Sequence, residues 1–275
     1  MKSRSLNSVN RWLLACAISF AATGCRTAPG KPGPEPETPR PEQVLDFATL
    51  YRQNCSACHG ENGKSGAAIS LNNPVYLAIA GASNIQRVTA AGVSNTMMPP
   101  FARSKGGMLT DQQIAVLTSG MISTWGNPSA LKGCAYPAYE SSGPGDVAHG
   151  KQAFADYCAQ CHSADGTGGT YPSRQPAGSS IPPALRAAPV RTGSLVDPTY
   201  LALVSDQGLR SFILAGQTEQ DAHDWRAYVC VPTSTTFVDR QLTNFVDFNR
   251  EITDIVAWLA SHRVAAPGQV YPQHP

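Results

Sequence analysis

Two thiols and an imidazole stand together twice in this chain, as Cys55-Ser56-Ala57-Cys58-His59 and again as Cys158-Ala159-Gln160-Cys161-His162. A Cys-x-x-Cys-His run has the spacing of c-type haem attachment, in which both thiols add to porphyrin vinyl groups and the adjacent imidazole reaches the iron from one face. A tetrahedral zinc site would need further Cys or His ligands in a matching knuckle. A dithiol redox motif would sit in a strand-rich βαβ context. Neither context surrounds these clusters, so the residues predict two covalent haems.

The elements that must carry the clusters repeat as well. Residues 73 to 92, NPVYLAIAGASNIQRVTAAG, align without a gap to residues 197 to 216, DPTYLALVSDQGLRSFILAG, at an offset of 124. The clusters themselves are offset by 103, which leaves 21 extra residues between cluster and repeated helix in the second copy. Val44, Phe47 and Tyr51 recur on one face ahead of Cys55, and Phe154 and Tyr157 do so ahead of Cys158. Thr110 and Gln113 read as a capping box before an apolar stripe of Ile114, Leu117, Met121, Ile122 and Trp125. The counterpart stripe is Ile252, Ile255, Val256 and Leu259, with Asn249 expected as its N-cap.

Each unit thus resembles a small class I cytochrome c domain: an N-terminal helix entering the haem motif, a middle helix, a loop bringing the distal ligand, and a C-terminal helix crossing the first. The resemblance implies an all-α fold of two tandem domains, each wrapped round one haem that serves as much of its core. The expected divisions are a signal segment at 1–24, a tether at 25–43, domains at 44–126 and 147–264, a linker at 127–146 and a tail at 265–275. One departure from the family is visible, since Phe47 stands where the second unit has Gly150.

The family places its axial methionine directly before a proline, which selects Met98 in Met97-Met98-Pro99. Met97 is the alternative, and Met108 and Met121 are read as loop and core residues. His59 and Met98 together imply a relatively high potential. The second unit has no methionine, and the offset of 124 puts Ala222 where Met98 stands. His223, one residue on, is the expected ligand of the second iron, the alternative being an exposed histidine between Asp221 and Asp224. His149 is read as a surface residue. Cys230 is either a thiolate ligand or, for an exported chain with two spare cysteines, the disulfide partner of Cys134.

Lys2, Arg4 and Arg11 precede an apolar run from Trp12 to Ala22, a signal-peptide pattern too short to span a membrane. Small residues lead into Cys25, which resembles a bacterial lipoprotein lipobox with Cys25 as the lipidated residue. Cys16 and an unlipidated secretory signal are the alternatives. Six prolines between residues 29 and 41 make the following segment an extended spacer. Loss of the signal would change the net charge from +2 to −1, and no basic stripe argues for nucleic acid.

These features together imply an exported, membrane-anchored dihaem electron carrier facing the periplasm or cell surface. Its expected partners are redox proteins of a respiratory or photosynthetic chain. A haem oxidoreductase resembling dihaem peroxidases or thiosulfate dehydrogenases, with catalysis at the second haem, is the alternative. A haem-built sensor or assembly subunit is the third.

Overall fold

The computed structural model describes residues 38–134, 136–171, 190–217 and 238–265, with backbone alone at 171, 190 and 238–247. Both clusters lie in the compact unit that begins at Glu42.

Helix α1 (Phe47–Asn54) starts where the Asp46 carboxylate accepts the Thr49 N–H at 2.8 Å. The expected helical face therefore begins at Phe47, while Val44 precedes it and accepts from Gln113 Nε2 at 3.1 Å. One turn, α2 (Ser56–His59), follows directly. Helix α3 (Pro74–Ala91) opens with Asn73 as cap and is broken at Gly81, whose φ is 66°. Helix α4 (Asp111–Trp125) carries the expected capping box, with Thr110 and Gln113 bonded reciprocally. Leu50, Leu77, Ile114, Leu117 and Met121 fill the core between these helices.

The second half repeats the plan. Helix α5 (Val147–Tyr157), capped by Asp146, leads into α6 (Ala159–His162). Helices α7 (Pro198–Leu203) and α8 (Asp206–Ala215) divide at the residue pair equivalent to the Gly81 break, and Ser205 caps the second piece. What reads as one repeated helix is thus a helix with a common hinge. The additional residues of this half form strand β1 (Gly169–Tyr171), which pairs antiparallel with β2 (Val190–Thr192).

Helix α9 runs unbroken from Val238 to Ala260. Asn249 is therefore mid-helix and does not cap it, contrary to the sequence expectation; its side chain instead accepts from the Arg210 guanidinium. Polar residues at 239–241 and 243–244 hide the amino-terminal half of this helix from an apolar-periodicity search.

The crossing of first and last helices explains the Phe47/Gly150 difference. In the first domain the Phe47 ring lies over Gly120 of α4, where a Cβ would come within 2.2 Å of the ring. In the second the small residue is on the other helix, and a Cβ on Gly150 would stand 1.9 Å from the Asp254 carbonyl oxygen. Each crossing keeps one glycine, on opposite partners. Trp125 packs edge-on to Tyr51 at 5.0 Å between centroids, and Trp258 packs on the fully buried Phe154 at 4.3 Å.

The segment between the domains is clamped. Arg210 is 2% exposed and donates to the Ala138 and Tyr139 carbonyls, at 2.8 Å and 3.1 Å respectively, while Gln207 Nε2 reaches the Tyr139 carbonyl at 2.8 Å. Tyr139 is buried against Tyr76. Burial of a guanidinium is tolerated because carbonyl and amide oxygens accept its hydrogens. No described helix is long and apolar enough to cross a membrane.

Candidate haem sites

Each cluster sits at a helix end that the fold makes in the same way. The Cys55 N–H bonds the Tyr51 carbonyl at 2.8 Å and the His59 N–H bonds the Cys55 carbonyl at 3.0 Å. The Cys158 N–H bonds Phe154 at 2.8 Å and the His162 N–H bonds Cys158 at 3.0 Å. All four cluster thiols are free. Burial pushes the Cys55 thiol up to about 11 and the Cys158 thiol up to about 12, with the neighbouring thiol adding to both. A redox dithiol or thiolate metal site wants the opposite shift. Among the described residues no group of three or more His, Cys, Asp or Glu is placed to hold a metal ion.

The imidazoles are held differently. His59 is 7% exposed, and its Nδ1 donates to the Ile69 carbonyl at 2.8 Å. That tautomer leaves the Nε2 lone pair available to a metal. Burial lowers the His59 pKa below the ordinary imidazole value, against the Ile69 bond that raises it, so the ring is neutral and ligand-ready. His162 Nδ1 is buried without a hydrogen-bond partner among the described residues. The Gly193 backbone lies beside it and opposes the lowering that burial causes, but outside hydrogen-bond geometry. Free thiols beside a buried His59 and a half-buried His162, both held below the ordinary imidazole value by desolvation, are a donor set that fits c-type haem.

The methionines separate by environment. Met97 and Met108 are 76% and 80% exposed, and Met121 is 2% exposed within the core. Met98 is half-buried. Its carbonyl accepts from Val93 N at 3.0 Å and its N–H donates to Thr96 Oγ1 at 3.2 Å. Gly92, at φ 68°, lets the chain turn back on itself here, since a Cβ would meet Met98, Pro99 and Pro100 within 2.7 Å.

Other expected residues fall elsewhere. Cys25, His223 and Cys230 lie outside the described residues. Cys134 is disulfide-bonded, and its partner lies outside the described residues. His149 is half-exposed, with Nδ1 2.8 Å from Asp254 Oδ2 and Nε2 3.7 Å from Glu251. Sequence reasoning missed Thr192, whose hydroxyl donates to the Cys161 carbonyl at 2.6 Å and ties the β1–β2 hairpin to the second cluster. It also missed the Ile69 carbonyl, since any residue can supply one.

Residues 42–118 match the family described as Cytochrome C oxidase, cbb3-type, subunit III, and residues 147–204 match Cytochrome c. The chain holds two cytochrome c-type domains. It is 32% identical over 130 residues to the Cbb3-type cytochrome c oxidase subunit FixP of Sinorhizobium medicae (strain WSM419), covering 44% of this chain and 39% of that one. Its identity to FixP of Rhizobium meliloti (strain 1021) is 31% over 130 residues, with the same shares. With FixPc of Rhizobium leguminosarum bv. viciae it is 29% over 134 residues, 46% of this chain and 41% of the other. The chain thus spans about two fifths of the length of these relatives. Two cytochrome c domains bring two covalent c-type haems.

Proposed function

We propose that this dihaem cytochrome passes single electrons between redox proteins of a respiratory chain. Cys55 and Cys58 hold the first haem, and Cys158 and Cys161 the second. His59 and His162 are the proximal ligands. Met98 is the distal ligand of the first iron, because it is the one methionine of its domain neither solvent-exposed nor committed to the helical core. His223 serves the second iron. Cys25, lipidated, anchors the chain through the proline-rich spacer to a bacterial membrane, and the similarity to oxidase subunits favours a terminal oxidase as electron acceptor.

Reversible one-electron exchange is what haem iron supplies here, and axial-ligand identity moves its potential over about 0.8 V. The chain's own residues bind it, exclude water and fix the ligands: Ile69 orients the His59 ring, and the Val93 and Thr96 bonds fix the Met98 backbone. Because a thioether favours Fe(II) and imidazole does so less, electrons rest on the first haem. A tenfold bias needs only about 59 mV for one electron.

The observation that carries this reading is a pair of free thiols followed by an imidazole at the same helix end in both domains, the imidazole buried at His59 and half-buried at His162. The test is a spectroscopic redox titration of the holoprotein. Two resolved one-electron steps are expected, and a single one-electron curve shared by both haems at one midpoint would contradict the proposed ligand difference. The lack of any methionine after Met121 favours a second reading, an oxidoreductase acting at the second haem. Turnover of peroxide or thiosulfate by the purified holoprotein would select it.

A further inference from the structure

The last turn of α8 is finished by atoms from outside its own domain. A helix leaves its final carbonyls without intrahelical partners, and they must bond to something else. Here the Tyr136 hydroxyl, from the linker, donates to the Leu214 carbonyl. Asn73 Nδ2, from the first domain, donates to the Ala215 carbonyl at 3.1 Å and to the Gly216 carbonyl at 3.4 Å. Ala215 is 1% exposed and packs within the core cluster of the first domain.

Asn73 is 6% exposed and is also the cap of α3, its Oδ1 accepting from Val75 and Tyr76 at 3.0 and 3.2 Å. Its counterpart at the offset of 124 is Asp197, which caps α7 by accepting from Tyr200 at 2.9 Å. Asp and Asn cap equally well, but only the amide carries hydrogens to donate. The two repeats therefore differ in the atom that crosses between domains.

The helix end being gripped has a defined counterpart. Gly216, φ 65°, corresponds to Gly92, φ 68°, and Gly92 lies directly against Met98, Pro99 and Pro100. We infer that Asn73 is an interdomain positioning residue, whose amide fixes from the first domain the helix end at the base of the second haem's distal side. This rests on the two-haem reading above. The second haem's distal geometry then depends on the first domain, and the two haem domains act as one electron-transfer unit.

The test uses full-length holoprotein with Asn73→Asp, which keeps the α3 cap and has no hydrogen to donate, and Asn73→Ser, which keeps the cap and replaces the amide NH2 by a shorter hydroxyl. Amide hydrogen exchange at Leu214 to Gly216 and the midpoint of each haem are read, the second haem being the one lost in Cys158→Ala/Cys161→Ala. Both variants are expected to retain two haems, to exchange faster at those amides, and to show a displaced second-haem midpoint with the first unmoved. Wild-type exchange with both midpoints unchanged overturns the inference, as does equal displacement of both haems, the mark of a fold-wide effect. Failure of the two-haem reading would instead appear in the wild-type protein, as fewer than two attached haems. Hydrogen exchange would still decide the role of Asn73.

Discussion

Adding one methyl group at Gly150 tests how the second domain is closed. The new Cβ would lie 1.9 Å from the Asp254 carbonyl oxygen, whereas ordinary contact begins at 3.4 Å. The obstacle is backbone in the middle of α9, so α5 and α9 must part by roughly 1.5 Å, because no side chain can turn away. Parting them strains the Asp146 N–H to Asp254 bond of 2.7 Å and the His149 to Asp254 bond of 2.8 Å. Overpacking of this kind costs about 1–3 kcal/mol, and rigid backbone puts Gly150→Ala at the upper end, about 3 kcal/mol. For the compact unit that begins at Glu42 that is a fall of roughly 6–12 °C in Tm. Gly120→Ala meets the Phe47 ring instead, which can swing aside, and should cost less; Phe47→Leu in the same chain should recover part of the loss. The assay is thermal unfolding of holoprotein, followed at haem absorbance. A Gly150→Ala Tm matching wild type, or a larger loss from Gly120→Ala, would refute the reasoning.

Met98→Ala should turn the first haem from low-spin to high-spin and move its midpoint, while Met97→Ala leaves the optical spectrum unchanged. His149 is held above its ordinary value of 6.5, first by the bond to Asp254 and then by the Glu251 charge, with Asp254's charge adding and the Arg250 charge opposing. Its contribution to stability is therefore complete below pH 6.5 and is lost as the pH rises through its higher folded-state value; His149→Ala should remove that descent from a plot of Tm against pH. Arg210→Met should lower Tm, because the Ala138 and Tyr139 carbonyls lose their buried donor, each such loss costing about 1–3 kcal/mol. Replacing Ala138 on the surface of that segment should not reproduce the effect, since only its backbone oxygen is used.

The clusters, the capping box at Thr110 and the internal repeat were readable because each is a local pattern of side-chain chemistry. What escaped depends on pairing between distant residues. Gly120 looks like an ordinary helix glycine until Phe47 is seen above it, and Gly150 says nothing alone about Asp254. The cap expected at Asn249 failed because the apolar stripe of α9 starts later than the helix does. The linker reads as a spacer from its Gly and Pro content, yet Arg210, more than 70 residues away, pins it through backbone oxygens that no composition reveals. The distinction between Asn73 and Asp197 was present in the aligned repeat and needed only the question of what an amide donates to.

Intact mass of purified holoprotein, before and after Cys158→Ala/Cys161→Ala, bears most directly on the central claim. The wild-type polypeptide should carry two haem increments that survive denaturation, and the double variant one. Haem released by denaturation, or an unchanged increment in the variant, would contradict covalent attachment at the two Cys-x-x-Cys-His clusters.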